Sequence, residues 1–270
     1  MSQIVLSSGV RANLLQLQQT SDLITSTQTK LATGKRVNSA LDNANNFFTA
    51  QGLDNRASDL NNLLDAMSTG INTIQAANNG ITAITKLVQS AQSLASQAQQ
   101  TSDTAVRASL SSQFDAIRTQ IDQLAGDAGF NGTNLLNGDN LTVTLNESAT
   151  SSTTVNGVTD TADGLAINAA ANSWADVADI TTATNELTAA LSTLRSQSQT
   201  LSSNLSTVQI RQDFTKAMIN TLQSGSDSLT LADSNEEGAN LLALQTRQQL
   251  STTALSLASQ ADQNVLRLFG

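Results

Sequence analysis

Cysteine, histidine and proline are all absent from the 270 residues. Without the first two there are no disulfides, thiol nucleophiles, imidazole bases or zinc sites built from those ligands. Without proline, nothing locks φ or removes an amide donor inside a long helix. Aromatic residues make up 3% and charged residues 13%, so this composition does not build a thick core of large side chains. Its Leu, Ile, Val and Ala suit narrow helix seams instead. Positive charge is scarce as well: the formal net charge is -9, and Lys35-Arg36 is the one adjacent basic pair, which argues against nucleic-acid binding. No run of about 18 apolar residues occurs, and the opening Met1-Ser2-Gln3-Ile4-Val5-Leu6 lacks the basic segment and cleavage site of a signal peptide. Neither membrane insertion nor ordinary signal-peptide secretion is expected, so export would need a dedicated machine.

What the chain does have is apolar residues at spacings of three and four. Val10, Leu14, Leu17, Ile24 and Leu31, with Ser21 and Gln28 between them, predict a helix of about three heptads ending near Gly34. Thr33 to Asn46 reads as a connector that leaves the helical path, with Phe47 and Phe48 packing where regular structure resumes. Leu60, Leu64, Met67, Ile71, Ile74, Ile81, Ile84 and Val88, broken only by Asn78, predict a second helix, roughly 70 Å long if it reaches Gln100. Leu110, Phe114, Ile117, Ile121 and Leu124 predict a third, ending at Gly126 to Gly132. Leu141 to Leu145 alternate as a strand, a second strand is expected near Val155 to Val158, and the lone Trp174 belongs to the least regular part. Leu187, Leu191, Leu194, Ser198, Leu201, Leu205 and Val208 predict a bundle partner for the second helix. Gly225 to Asp233 reads as a second connector. Leu250, Ala254, Leu257, Ala261, Val265 and Leu268 mark the seam of a last helix.

The fold class expected is mainly α: a long coiled-coil helical rod with paired N- and C-terminal helices, a small β-hairpin region and no large outer domains. The divisions are 1–44 for the first terminal helix with its connector and 45–139 for the N-terminal central helices. After them come 140–178 for a short variable β or irregular region, 179–224 for the C-terminal central helix, and 225–270 for the second connector and last helix. A terminal two-helix pair with such sparse charge is a poor stand-alone fold, which implies that neighbouring copies order it.

No convincing chemical site emerges, and no catalytic, cofactor-binding or metal residues are expected. Asp233, Glu236 and Glu237 fall on one face, but acidic residues in a first helical turn are what a positive helix end favours. Asp127 to Gly138 starts like a calcium loop, yet Gly129 offers no side-chain ligand and Gly138 stands where the closing glutamate belongs. Thr33-Gly34-Lys35 lacks the rest of a nucleotide loop, and the sequons at Asn131, Asn140, Asn146 and Asn204 follow from a composition rich in Asn, Ser and Thr. Lys35, Arg36, Arg56, Arg211 and Arg247 lie in or near connectors and helix boundaries. There, pairing with Asp42, Asp54, Asp59, Glu236 or Glu237 of another copy competes with plain solvation.

Three ordered motifs give the chain a resemblance to the bacterial flagellins, above all the short ones of alphaproteobacteria, over nearly its whole length. The first is Leu31-Ala32-Thr33-Gly34-Lys35-Arg36-Val37-Asn38-Ser39-Ala40-Leu41-Asp42-Asn43-Ala44, then Phe47 to Gln51. The second is Gly129-Phe130-Asn131-Gly132-Thr133-Asn134-Leu135-Leu136. The third is Leu231-Ala232-Asp233-Ser234-Asn235-Glu236-Glu237, with Asn240-Leu241, Gln245 to Leu250 and the closing Gln263 to Gly270. The resemblance implies a structural subunit that self-assembles into the helical filament for swimming motility, with no enzyme activity. In it, roughly residues 1–35 and 235–270 would form an inner coiled-coil layer and 45–225 the next layer. It further implies other copies of the chain and sibling flagellins as partners, together with hook-filament junction and cap proteins, an export chaperone and the type III export apparatus. The destination would be the extracellular filament. A junction or adaptor protein of flagellin-like fold and a secreted coiled-coil effector are the alternatives. One departure stands out: where enteric flagellins present basic residues to an innate immune receptor, this chain has Gln89 to Gln97, including Ser90 and Gln92, which implies weak receptor activation.

Overall fold

The computed structural model describes residues 8–269, with side chains through Ala261 and at 263 and 264. Its elements are α1 (Ser8–Thr33), α2 (Ala40–Gln100), α3 (Thr104–Asp127), β1 (Leu141–Thr144), β2 (Ser152–Val155), a short turn (Ala171–Trp174), α4 (Val177–Thr230) and α5 (Ser234–Phe269). The chain divides into two compact units, 1–55 with 221–270 and 56–220, so the division falls inside α2 and α4.

In the first unit α1 packs on α5. The end of α1 and the start of α5 meet where Lys35 bridges Leu231, which makes the two helices antiparallel. Gly34 takes φ 68, a left-handed conformation that only glycine adopts without strain, and so ends α1 where expected. The amides of Arg36 and Val37 both donate to the Thr230 carbonyl, at 2.7 and 3.3 Å, and the Ala232 amide to that of Gly34 at 2.9 Å, tying the two connectors edge to edge. The first connector is shorter than expected. Its helix begins at Ala40, is interrupted at Asn43 (φ -164, ψ 99), and restarts with the Asn43 side chain accepting the Asn46 amide at 3.0 Å. The second shrinks to Leu231–Asp233, because Ser226 and Thr230 continue the buried seam of α4 as far as Thr230.

The second unit pairs the 45 residues of α2 from Arg56 to Gln100 with α4. One face of α2 is buried at Leu60, Leu63, Met67, Gly70, Ile74, Ala77, Ile81, Ile84, Val88, Ala91, Ala95 and Ala98, alternating steps of three and four. Leu63 and Ala77 occupy places that the sequence spacing gives to Leu64 and Asn78. Asn78 instead accepts a hydrogen bond from the Ser198 hydroxyl at 2.8 Å, and Ser68 accepts one from the Gln212 amide at 2.9 Å. These two polar layers fix the antiparallel register of α2 against α4. α3 buries Phe114, Ile121 and Ala125, and Phe114 meets Trp174 with ring centroids 5.0 Å apart.

β1 and β2 form an antiparallel hairpin from Leu141↔Val155 to Thr144↔Ser152. β1 lies where expected. β2 ends at Val155 rather than beginning there, because this register points Val143 and Val155 inward, 3% and 1% exposed. Gly70 and Gly80 let this region settle on α2. A Cβ at Gly70 would sit 2.7 Å from Val143 Cγ2, and one at Gly80 would sit 2.6 Å from Leu136 Cδ1.

Candidate assembly surface

Each terminal helix has an inward stripe that the chain covers; α5 carries a second, uncovered apolar stripe, and α1 leaves single leucines exposed. On α1 the inward stripe is Val10, Leu17, Thr20, Ile24, Thr27 and Leu31. Thr20 and Thr27 therefore fill the intervening places assigned from sequence to Ser21 and Gln28. The Thr20 hydroxyl satisfies itself within the helix by donating to the Gln16 carbonyl at 2.8 Å. Leu14, Leu15 and Leu23 face outward, with 38%, 57% and 50% of their surface exposed.

On α5 the contrast is sharper. Leu241, Leu244, Gln248, Ser251, Leu255 and Ala258 are half-buried at seam spacing, whereas the expected seam of Leu250, Ala254, Leu257 and Ala261 is exposed, with Leu250 at 67% and Leu257 at 61%. That expectation is corrected: the stripe is real but points away from α1. Ser and Gln in the true seam hide it from a count of apolar residues. The side chains of Val265 and Leu268, which extend the stripe in sequence, lie outside the described residues.

Five of the charged residues singled out from sequence, Asp233, Glu237, Asp42, Arg36 and Arg56, serve the chain's own fold. Asp233 caps α5, accepting the amides of Asn235 and Glu236 at 2.8 and 3.3 Å. Glu237 pairs with Lys30 of α1 at 3.0 Å. Asp42 accepts the amides of Asn38 and Ser39 at 2.9 Å each, and those bonds, with smaller help from the Ser39 hydroxyl and the Lys30 charge, hold its carboxyl below the usual value. Arg36 donates to the Ser228 carbonyl at 3.1 Å, and Arg56 pairs with Glu147 at 2.6 Å rather than with any of the carboxylates expected. Among the described residues Lys35, Arg211 and Arg247 form no ion pair, and no three acidic side chains converge as a cation site would require.

Sequence reasoning missed the residues that organise the second unit. Arg107, 8% exposed, sends its guanidinium to the carbonyls of Ala98 (3.2 Å), Thr101 (2.8 Å) and Ala175 (3.0 Å), capping the end of α2 and holding the approach to α4. Asn134 caps α3 by donating to Ala125 and Gly126 at 2.8 and 2.9 Å. Asp115, Arg118 and Asp122 of α3 bind the backbone of Ala170, Ile167 and Ala162 at 3.0, 2.8 and 2.7 Å, fixing the irregular stretch against the helix. The i, i+3, i+7 spacing of those three was a visible signal, since it lines up one polar stripe with a single partner.

This architecture defines a class: a helical protein built on long seams, with a second, uncovered apolar stripe on its terminal pair. The chain belongs to the bacterial flagellin family. The family model for the bacterial flagellin N-terminal helical region matches residues 6–141. The chain is 32% identical to flagellin FljM of Caulobacter vibrioides over 97% of each chain. It is 32% identical to flagellin FljK of the same organism over 97% of each, and 29% identical to a flagellin of Brucella melitensis over 100% of this chain and 99% of that one. The crystal structure of Bacillus cereus flagellin aligns with a TM-score of 0.48 at 20% identity, covering 57% of this chain and 88% of that one. Family membership rests on the sequence relatives. Flagellins are structural proteins, so the sequence expectation of a structural subunit agrees with the family.

Proposed function

We propose that the chain is the repeating structural subunit of a bacterial flagellar filament, assembled by stacking copies of itself alone or beside sibling flagellins. The observation that carries this reading is the outward stripe Leu250, Ala254, Leu257 and Ala261 on α5, with Leu14, Leu15 and Leu23 on α1. An apolar stripe on a helix whose other face is already closed by its own seam is a surface for another copy. Its mechanism is burial of that face in the polymer, with no bond made or broken.

Family membership also supports extracellular placement after export by the flagellar type III apparatus. An export chaperone would cover the same stripe of α5 before secretion, and junction and cap proteins would meet the two ends of the filament. No helix of the described residues is long and apolar enough to cross a membrane, which fits a subunit that passes through a conduit rather than inserting.

The test is electron microscopy of purified full-length protein incubated with short filament seeds or a precipitating salt, beside a copy truncated from Asn240. Long uniform filaments from the intact chain alone are expected, and none from the truncated one. A folded chain that stays soluble under every seeding condition would replace this reading with that of a junction protein present in few copies.

A further inference from the structure

The chain holds four Asn-Gly pairs: Asn79-Gly80, Asn131-Gly132, Asn137-Gly138 and Asn156-Gly157. At such a pair the backbone nitrogen of the glycine can attack the asparagine side chain, because no Cβ hinders its approach. The fold decides which pairs are free to do so, since the attacking nitrogen is held back when its N–H is hydrogen-bonded.

Gly80 lies inside α2, packed beneath Leu136 and Ala128, with its amide in the helical ladder. The Gly138 amide donates to the Val158 carbonyl at 3.0 Å, and the Gly157 amide to Asn140 Oδ1 at 2.9 Å. Gly132 differs, because among the described residues no acceptor takes its amide. Asn131 and Gly132, both exposed, form the tip of a two-residue turn with φ 48 and 80. Phe130 and Thr133 close the turn by exchanging hydrogen bonds of 2.9 and 3.0 Å.

We propose that Asn131 is a site of spontaneous covalent modification: deamidation through a succinimide closed by the Gly132 nitrogen. The Gly132 nitrogen bonds to Asn131 Cγ, the Cγ–Nδ2 bond breaks, and the amide proton leaves with the side-chain nitrogen as ammonia. Water then opens the ring. Opening at the Cγ–N bond leaves aspartate at position 131, and opening at the main-chain carbonyl leaves isoaspartate, with the main chain one carbon longer through the former side chain. No oxidant or enzyme is required. Ring closure needs the Asn131 backbone to rotate out of the turn, so opening of the exposed tip sets the pace. Either product adds a negative charge between Asp127 and Asp139, and isoaspartate no longer fits the two-bond exchange of Phe130 with Thr133.

The experiment uses full-length soluble protein held in mildly alkaline buffer, folded in one arm and in denaturant in the other. Peptide mapping by mass spectrometry follows the gain of one mass unit at each asparagine, and fragmentation distinguishes the two products. In the folded arm Asn131 should convert roughly fivefold or more faster than the other three, the factor that one ordinary hydrogen bond corresponds to. In denaturant the four rates should converge to within about twofold, because all four share the same glycine neighbour. Asn131→Gln should remove the leading signal and leave the others unchanged. The proposal is overturned if another pair leads in the folded protein, if Asn131 stays unmodified there while the denatured chain converts, or if the same preference persists in denaturant.

Discussion

Two carboxylates show how one residue type responds to pH with opposite signs. Asp160 is fully buried, neither of its oxygens has a hydrogen-bond partner, and the Oε1 of nearby Gln197 is also unpartnered. Burial pushes its carboxyl up to about 6 from 3.8, and the Gln197 amide, near enough to favour the charge but not in bonding geometry, offsets little of that. Since the folded chain holds this proton more tightly, the contribution is fully present below pH 3.8, falls as pH rises to about 6 and is flat above that. The shift corresponds to about 3 kcal/mol across that window. Asp160→Asn should therefore raise the melting temperature above about pH 6 and leave it nearly unchanged below 3.8. Thermal melts at both ends of the window decide it; an equal shift at the two ends would mean that the charge is not responsible. Asp42 runs the other way. Its lowered value, due first to the Asn38 amide and then to that of Ser39, gives stability that is present above pH 3.8 and lost as pH falls through the folded value. Asp42→Asn should abolish that part of the acid response.

At the scale of elements, glycine in a helix is decided by what surrounds it. In an open helix Gly→Ala gains about 1 kcal/mol from backbone entropy alone. Gly238 in α5 has nothing within 4 Å of an added Cβ, so Gly238→Ala should stabilise the monomer by up to that amount. Gly80 in α2 carries the same entropy cost, but its Cβ would lie 2.6 Å from Leu136 Cδ1 and 2.8 Å from Ala128 Cβ. Overpacking of about 1–3 kcal/mol then wins, and Gly80→Ala should lower the melting temperature. A gain at Gly80 would show that the loop around Leu136 yields without cost. Arg107→Met leaves three carbonyls without their donor, and a loss of about 3 kcal/mol or more is expected by denaturant unfolding. The same contrast explains what the sequence revealed. The α2 and α4 seams were legible because Leu, Ile and Val dominate them. The α1 and α5 seams were not, because Thr20, Thr27, Gln248 and Ser251 hold inward places while leucines hold outward ones. The second connector was overestimated because α4 tolerates Ser and Gly where its seam continues past Gly225, and the first only by the helical residues Ala40–Asp42 that precede the break at Asn43. Arg107 and Asn134 were invisible as caps, since their carbonyl partners are brought close only by folding.

For the whole chain, assembly must overcome a net charge of -9 on every copy, so growth should be faster in salt that screens the repulsion. The surface proposed to do this was half legible: the spacing of Leu250 and Leu257 marked a stripe but not the direction in which it points. That direction makes a clean test possible, because the outward residues can be changed without touching the seam that joins α1 to α5. Burying one leucine fully contributes about 1.5–3 kcal/mol. With Leu250 and Leu257 already 33% and 39% covered (100 less 67 and 61), about 1–2 kcal/mol each remains to be gained in the polymer. Leu250→Asn with Leu257→Asn should thus raise the critical concentration for seeded growth by about a hundredfold, at 1.4 kcal/mol per factor of ten. The monomer's helical content and melting temperature should stay as they were. Leu244→Asn, which strikes the inward seam, should instead lower helical content before any polymer forms. Filaments of the double variant growing at the concentration that suffices for the unaltered chain would remove the outward stripe from the mechanism, whatever the fate of the seam variant.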